Sequence, residues 1–325
     1  MAFLGVALLC AGCIEEFDPP WRIEDHRLLG ARSEVRGEPE RAWPQPGETA
    51  DVRWLSVAPG ERPELTWAFA WCPAAPSQFG TPYCVDGTEP TILPPQLEPT
   101  TDDPTFAVEV PADEADLRGA TSLLTLGFVC AGGVLEVDPA LLDDPARLDE
   151  ACPGDDAKAS LVTFEVPVAL SDAPNHNPAV AAVRLDGAPW APPPDEALEA
   201  PLEGCPPTWG LPEVRAGGPE REIALEVPSE SRERYEVAGE DGEPTTRVEA
   251  LQVAQTTTAG ELGGYFRFIE DEGDTESTVQ WEPPPEEELR ADRELVRFHF
   301  VVVDRRAGTA FAHRALCVTR GTEGG

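Results

Sequence analysis

Between residues 27 and 318 the apolar positions come in short runs, and in many of them they alternate with polar ones. The sharpest run is 65–72, Leu-Thr-Trp-Ala-Phe-Ala-Trp-Cys, with Trp67, Phe69 and Trp71 at every second position. Residues two apart on a strand share a face, so these rings point to one side. Core packing accounts for such a stripe; a platform that stacks sugar rings is the alternative. Residues 105–110 and 222–227 alternate in the same way, and 122–130 is apolar almost throughout, as a central strand would be. Further strands are predicted at 27–32, 50–57 and 161–168, then at 180–185, 247–253, 264–268, 278–281, 295–303 and 309–318. Turn chemistry separates them: Pro46-Gly47 before the second strand, Pro59-Gly60 after it, and 304–308 as the tip of a terminal hairpin. Residues 73–104, with eight prolines, and the proline-rich 187–212 predict irregular chain, and 137–151 a short helical turn. Short strands at these intervals predict an all-β chain with two antiparallel β-sandwich domains in tandem, 25–170 and 179–320. A linker at 171–178 (SDAPNHNP) joins them, and 321–325 is a tail. Residues 180–185 echo the first strand of the first half, a weak internal repeat.

Length and composition fit this reading. At about 100–200 residues per domain, 325 residues make roughly two domains. The 36 prolines exceed twice the usual share of ~5%, which argues against long helices. Charge changes the picture more. With 61 acidic against 24 basic residues the formal net charge is -37, so phosphates are repelled and nucleic acid is excluded as a partner. An anionic membrane would not hold this surface by charge alone. The acidic excess reads as a solvated coat, with divalent cations as the alternative. The acidic turn 270–276 offers oxygens for calcium, but not in EF-hand spacing.

The first thirteen residues, MAFLGVALLCAGC, carry an address. Residues 2–12 hold no charge and suit the ~7–15-residue core of a signal peptide, short of the ~20 that span a bilayer. They end in Cys10-Ala11-Gly12-Cys13, which resembles the lipobox of bacterial lipoproteins, with Cys10 where leucine is usual. The resemblance implies cleavage after a 1–12 signal peptide and diacylation of the Cys13 thiol. Residues 13–24 then form the lipidated cysteine and a tether, and Ile14-Glu15 after the cysteine implies the outer membrane. No later segment is apolar and long enough to span a membrane, so everything after Cys13 is expected to be soluble.

Six further cysteines, Cys72, Cys84, Cys130, Cys152, Cys205 and Cys317, suit disulfides in an exported chain. They allow fifteen pairings; sequence proximity favours Cys72–Cys84 and Cys130–Cys152, which leaves Cys205–Cys317. Zinc is a poor reading. There is no Cys-x-x-Cys, and none of His26, His176, His299 and His313 sits at ligand spacing from a cysteine or another histidine. His299, between Phe298 and Phe300, is expected to face outward from its strand. The sequence holds no Gly-x-Ser-x-Gly, no P-loop and no dinucleotide fingerprint after a strand. Carboxylates are so abundant that pairing them without distances means nothing.

The strand FHFVVVD, the turn RRAG and the strand FAHRALCV resemble bacterial immunoglobulin-like repeats of the cadherin or polycystic-kidney type. PGET before one strand and WAFAWC on the next resemble Ig-like domains of Gram-negative lipoproteins. The resemblance implies display, adhesion, spacing or ligand binding. The expected protein is a non-catalytic, lipid-anchored envelope protein without a cofactor, whose ligand is a protein or a polysaccharide. The alternative is an extracellular hydrolase or an accessory carbohydrate-binding subunit on a β-sandwich, and a calcium-stiffened stalk is a third reading. Burial of Trp67, Trp71 and Trp281 counts against the alternative.

Overall fold

Proline and glycine break the chain too often for long helices, and the alternating runs pair as strands. The computed structural model describes residues 19–75, 82–136, 150–170, 175–238, 243–271 and 273–321. The signal peptide, Cys13, most of the 137–151 turn and residues 171–174 of the linker fall outside the described residues.

The first half forms β1 (Arg27–Val35), β2 (Thr49–Val57), β3 (Leu65–Ala75), β4 (Tyr83–Cys84), β5 (Thr91–Ile92), β6 (Gln96–Thr100), β7 (Thr105–Glu109), β8 (Ser122–Ala131) and β9 (Lys158–Pro167). One sheet runs β1-β2-β7 and the facing one β4-β3-β8-β9, with β5 and β6 also paired to β3. Val52, Trp54, Leu65, Trp67, Phe69, Val108 and Leu123 interdigitate between them, and Trp71 packs against this core. The aromatic stripe therefore faces inward, as its alternation predicts. Gly127 lies opposite Phe69 in register, where a Cβ would overlap the Phe69 ring.

The second half forms β10 (Ala182–Leu185), β11 (Ala188–Pro189), α1 (Asp195–Glu199), β12 (Glu213–Arg215), β13 (Arg221–Glu226), β14 (Arg234–Ala238), β15 (Pro244–Val248), β16 (Leu251–Thr257), β17 (Glu261–Leu262), β18 (Phe266–Ile269), β19 (Glu276–Glu282), β20 (Arg293–Asp304) and β21 (Thr309–Thr319). Sheet β11-β10-β13-β19-β17 faces sheet β12-β21-β20-β16-β18, and β14-β15 is a separate hairpin. Trp190 and Trp281 meet Phe298 edge to face, with centroids 5.2 and 5.1 Å away. Their indole N–H groups donate to Ala315 O and Ala259 O, both at 3.0 Å, so neither ring leaves a polar atom stranded. Both halves are Ig-like: two early strands and a later one make one sheet, and the remaining long strands make the other.

The chain departs from the sequence reading where tertiary partners decide. The strand expected at 247–253 is two: β15 belongs to the side hairpin and β16 to the main sheet, and the chain changes sheets at Glu249. Residues 73–104 are not wholly irregular, because β4, β5 and β6 borrow the edge of β3. The proline-rich 187–212 holds β11 and α1. Residues 21–23 of the expected tether are bound: Ile23 N–H donates to Thr257 O at 2.9 Å and Thr257 N–H to Trp21 O at 2.8 Å.

Disulfides join Cys72–Cys84, Cys130–Cys152 and Cys205–Cys317, with Cα separations of 5.5, 5.3 and 5.8 Å. The first two staple loops to β3 and β8, and the third ties the proline-rich segment to β21.

Candidate functional site

Along β20 the residues at 296, 298, 300 and 302 fill the second sandwich's core. Their neighbours Leu295, Arg297, His299, Val301 and Val303 must point the other way. On a free-standing module that face would meet water. Here Arg297 and His299 are only 0% and 4% exposed. His299 does face outward from its own sandwich, as expected, but onto protein.

Over Leu295 and Arg297 the cover is largely the second half's own proline-rich segment, and over Val301 and Val303 it is the three-stranded sheet of the first sandwich. Past Trp54 the outward positions of β2 become apolar, and Leu55 and Val57 join Ile23 and Val301 in a separate cluster. Leu29, Ala254, Val303 and Phe311 pack around it. Arg53 lies over the Phe311 ring, 5.9 Å from its centroid.

Polar groups stitch the rim of this seam. The indole N–H of Trp43 donates to Arg306 O at 2.6 Å. Asn175 donates from Nδ2 to Asp304 Oδ2 at 2.9 Å, while its backbone carbonyl accepts from Ala42 N–H at 2.9 Å. Asn177 donates from Nδ2 to Ser33 O at 2.8 Å and accepts at Oδ1 from Thr309 N–H at 2.9 Å. The expected linker is therefore built into both modules at these two asparagines. Arg297 donates to Gly60 O at 2.8 Å and to Ala197 O at 2.9 Å.

Arg306, on the terminal hairpin's tip, is the centre of the rim. Its guanidinium lies over Trp43 of the first sandwich (4.6 Å) and Tyr235 of the second (5.0 Å). It also pairs with Glu233 at 3.1 Å and Glu249 at 2.9 Å. The Glu249 side chain is only 1% exposed. Burial, with the Asp304 charge adding to it, pushes the Glu249 carboxyl up to about 7, although Glu233 N–H and Arg306 pull the other way. Burial raises Asp304 too, against the hydrogen bonds from Asn175, Gly308 and Arg306.

His299 and His313 are cross-strand partners with Nδ1 atoms 2.9 Å apart, so one ring donates and the other accepts. Burial, then His313 and Arg297, hold His299 well below 6.5. Burial, then Arg62 and Arg53 of the first sandwich, lower His313 to about 4. His26, bonded to Ser56 Oγ at 2.9 Å, falls to about 4 through burial and then Arg62. Spacing along the chain missed this histidine pair. The hairpin turn at 304–308 carried the signal, since an antiparallel register that pairs 303 with 309 also pairs 299 with 313.

A cleft of about 460 Å³ opens beside the seam, lined by Arg32, His176, Glu230, Glu233 and Phe311 among others. His176 Nδ1 meets Glu233 there. The Glu249, His299 and His313 side chains do not line it. A substrate in the cleft would not touch them.

The acidic turn at 270–276 is committed differently from the calcium reading. The Arg232 guanidinium donates to the carbonyls of Glu270, Asp271 and Asp274 at 2.7–2.9 Å, and so takes oxygens a cation would need. Among the described residues no group of three or more His, Cys, Asp or Glu side chains is placed to hold a metal ion. Trp67 and Trp281 are buried and Trp71 half-buried, which removes them as an exposed sugar platform. No described helix is long and apolar enough to cross a membrane.

No protein-family model matches the sequence, and no curated protein matches it. Among solved structures it is similar to the D0-D1 domain of intimin, at 9% identity and a TM-score of 0.22, over 90% of this chain and 98% of that one. Similarity to the FN1-FN3 domains of chicken CNTN1 has 11% identity and a TM-score of 0.20, over 90% and 67% of the two chains. Red sea bream transglutaminase gives 8% identity and a TM-score of 0.23 over 91% of this chain, which spans only 32% of that enzyme. At such TM-scores these likenesses carry no argument, and the architecture stands on its own strand pairings.

Proposed function

We propose that this chain is a non-catalytic, lipid-anchored protein of the cell envelope, whose sandwiches act as one stiff arm that displays a binding surface. The observation that carries the proposal is the seam. Tandem modules that swing freely expose their linker, whereas Asn175 and Asn177 are buried here and bonded to both modules. Separating the modules would expose the apolar cluster of Ile23, Leu55, Val57 and Val301 to water. A stiff arm suits adhesion or spacing, where the far end must sit at a set distance from its attachment.

The anchor rests on the Cys10-Ala11-Gly12-Cys13 motif, and the three disulfides belong to an oxidising compartment. The non-catalytic reading is supported by where the strongly shifted groups lie. Glu249 pairs with Arg306 and His299 with His313, and none of the three lines the cleft. Mass spectrometry of the protein extracted from membranes tests the reading. The expected product begins at an acylated Cys13 and carries three intact disulfides. An unprocessed Met1 on a cytosolic chain with free thiols would overturn it.

A further inference from the structure

Phe266 and Phe268 are 45% and 46% exposed, the two phenylalanines left open among the described residues. They lie on β18, opposite Ala254 and Gln252 of β16. Ala254 packs against the seam cluster, so both rings continue the seam's apolar face past the edge of the first sandwich. The two rings meet edge to face with centroids 5.4 Å apart, and Tyr265 meets Phe266 at 6.1 Å. The result is an aromatic ledge on an otherwise acidic, solvated protein.

The position of the amino terminus says what covers the ledge. Arg22 pairs with Thr257 on the same edge of β16 that β18 occupies, three positions from Ala254. At ~3.3 Å per strand residue, Phe266 lies about 10 Å along the edge from Arg22. Cys13 lies six positions before Pro19, a reach of at most about 20 Å. An acyl chain on Cys13 thus brings the bilayer surface within reach of the ledge.

We propose that Phe266 and Phe268 are the face on which this protein rests on its membrane, with both rings seated at the boundary between headgroups and acyl chains. The proposal depends on the anchor reading above. Rings of this kind gain by leaving water at that boundary. The acidic coat gives no electrostatic attraction to anionic lipid, so the contact is apolar and depends on the tether.

The test is amide hydrogen exchange of the full chain on vesicles of phosphatidylethanolamine and phosphatidylglycerol. The acylated protein is compared with Cys13→Ser in the same suspension, and intact mass reports acylation. Exchange over 264–269 is expected to slow by about tenfold or more in the acylated protein alone, with 213–215 at the far edge unchanged. The Phe266→Ser/Phe268→Ser variant keeps its fold, because the rings are exposed. It should remain acylated and on the vesicles while losing the protection. An acylated, vesicle-bound chain whose 264–269 segment exchanges like that of Cys13→Ser would overturn this inference and leave the anchor standing. A Cys13 without lipid would overturn both. Protection that appears in Cys13→Ser without vesicles and grows with concentration would assign the ledge to a second copy and overturn the membrane contact.

Discussion

Replacing Glu249 by glutamine isolates the electrostatic cost built into the seam. In the folded protein this carboxyl titrates at about 7 rather than 4.5, chiefly because it is buried. Between those values the folded chain holds a proton that the unfolded chain has released. Stability therefore falls as pH rises through that window. A shift of this size is worth roughly 3 kcal/mol in full, and roughly 2.5 kcal/mol of it develops between pH 5 and pH 8. A glutamine side chain at this position cannot titrate. It can still accept from Glu233 N–H, the bond now made to Glu249 Oε2 at 3.0 Å, and Arg306 keeps Glu233. The charge-assisted bond to Arg306 forms only where Glu249 is ionised; it already lowers the folded pKa and so is contained in the roughly 2.5 kcal/mol rather than added to it. Denaturant unfolding of both proteins at pH 5 and pH 8 reads the difference. Glu249→Gln should be more favourable relative to the parent by about 2–3 kcal/mol at the higher pH. Every other titrating group is common to both proteins. Parallel pH profiles would refute the assignment of a raised carboxyl to Glu249.

Other consequences are independent of that one. His26 and His313 fall from 6.5 to about 4, so the folded chain binds fewer protons than the unfolded chain in that interval. The stability they confer above pH 6.5 is lost as pH falls towards 4. Thermal melts of the parent and His313→Gln should diverge in that window and run parallel above it. Removing the Cys205–Cys317 bridge with paired serines opens a loop of 112 residues and should cost up to about 4–5 kcal/mol, read by the shift in denaturation midpoint. Melts with calcium and with chelator should coincide, because Arg232 holds the carbonyls of Glu270, Asp271 and Asp274; a midpoint raised by calcium would contradict that.

Strand existence was legible because alternation is a local property. The Trp67, Phe69, Trp71 stripe and the terminal hairpin follow from residue order alone. The seam was not legible in the same way. Leu55, Val57 and Val301 read as ordinary strand residues, and nothing in either run says that its outward face meets another sheet. The sign of a second buried face was nevertheless present in β20, whose 295–303 run is apolar at too many positions for one wet face. Glu249 was read as part of one continuous strand, because sequence alone does not register that its neighbours pair in different sheets. Arg306 looked like a turn residue, and its role depends on Trp43 and Tyr235, both remote in sequence.

The proposed arm requires that the sandwiches move as one body. Spin labels carried by non-cysteine side chains at exposed positions 163 and 222, one per sandwich, measure it directly through their dipolar coupling. A seam that is apolar at its centre should give a single narrow distance distribution that salt does not broaden. A broad distribution at neutral pH, spanning many relative orientations, would contradict it.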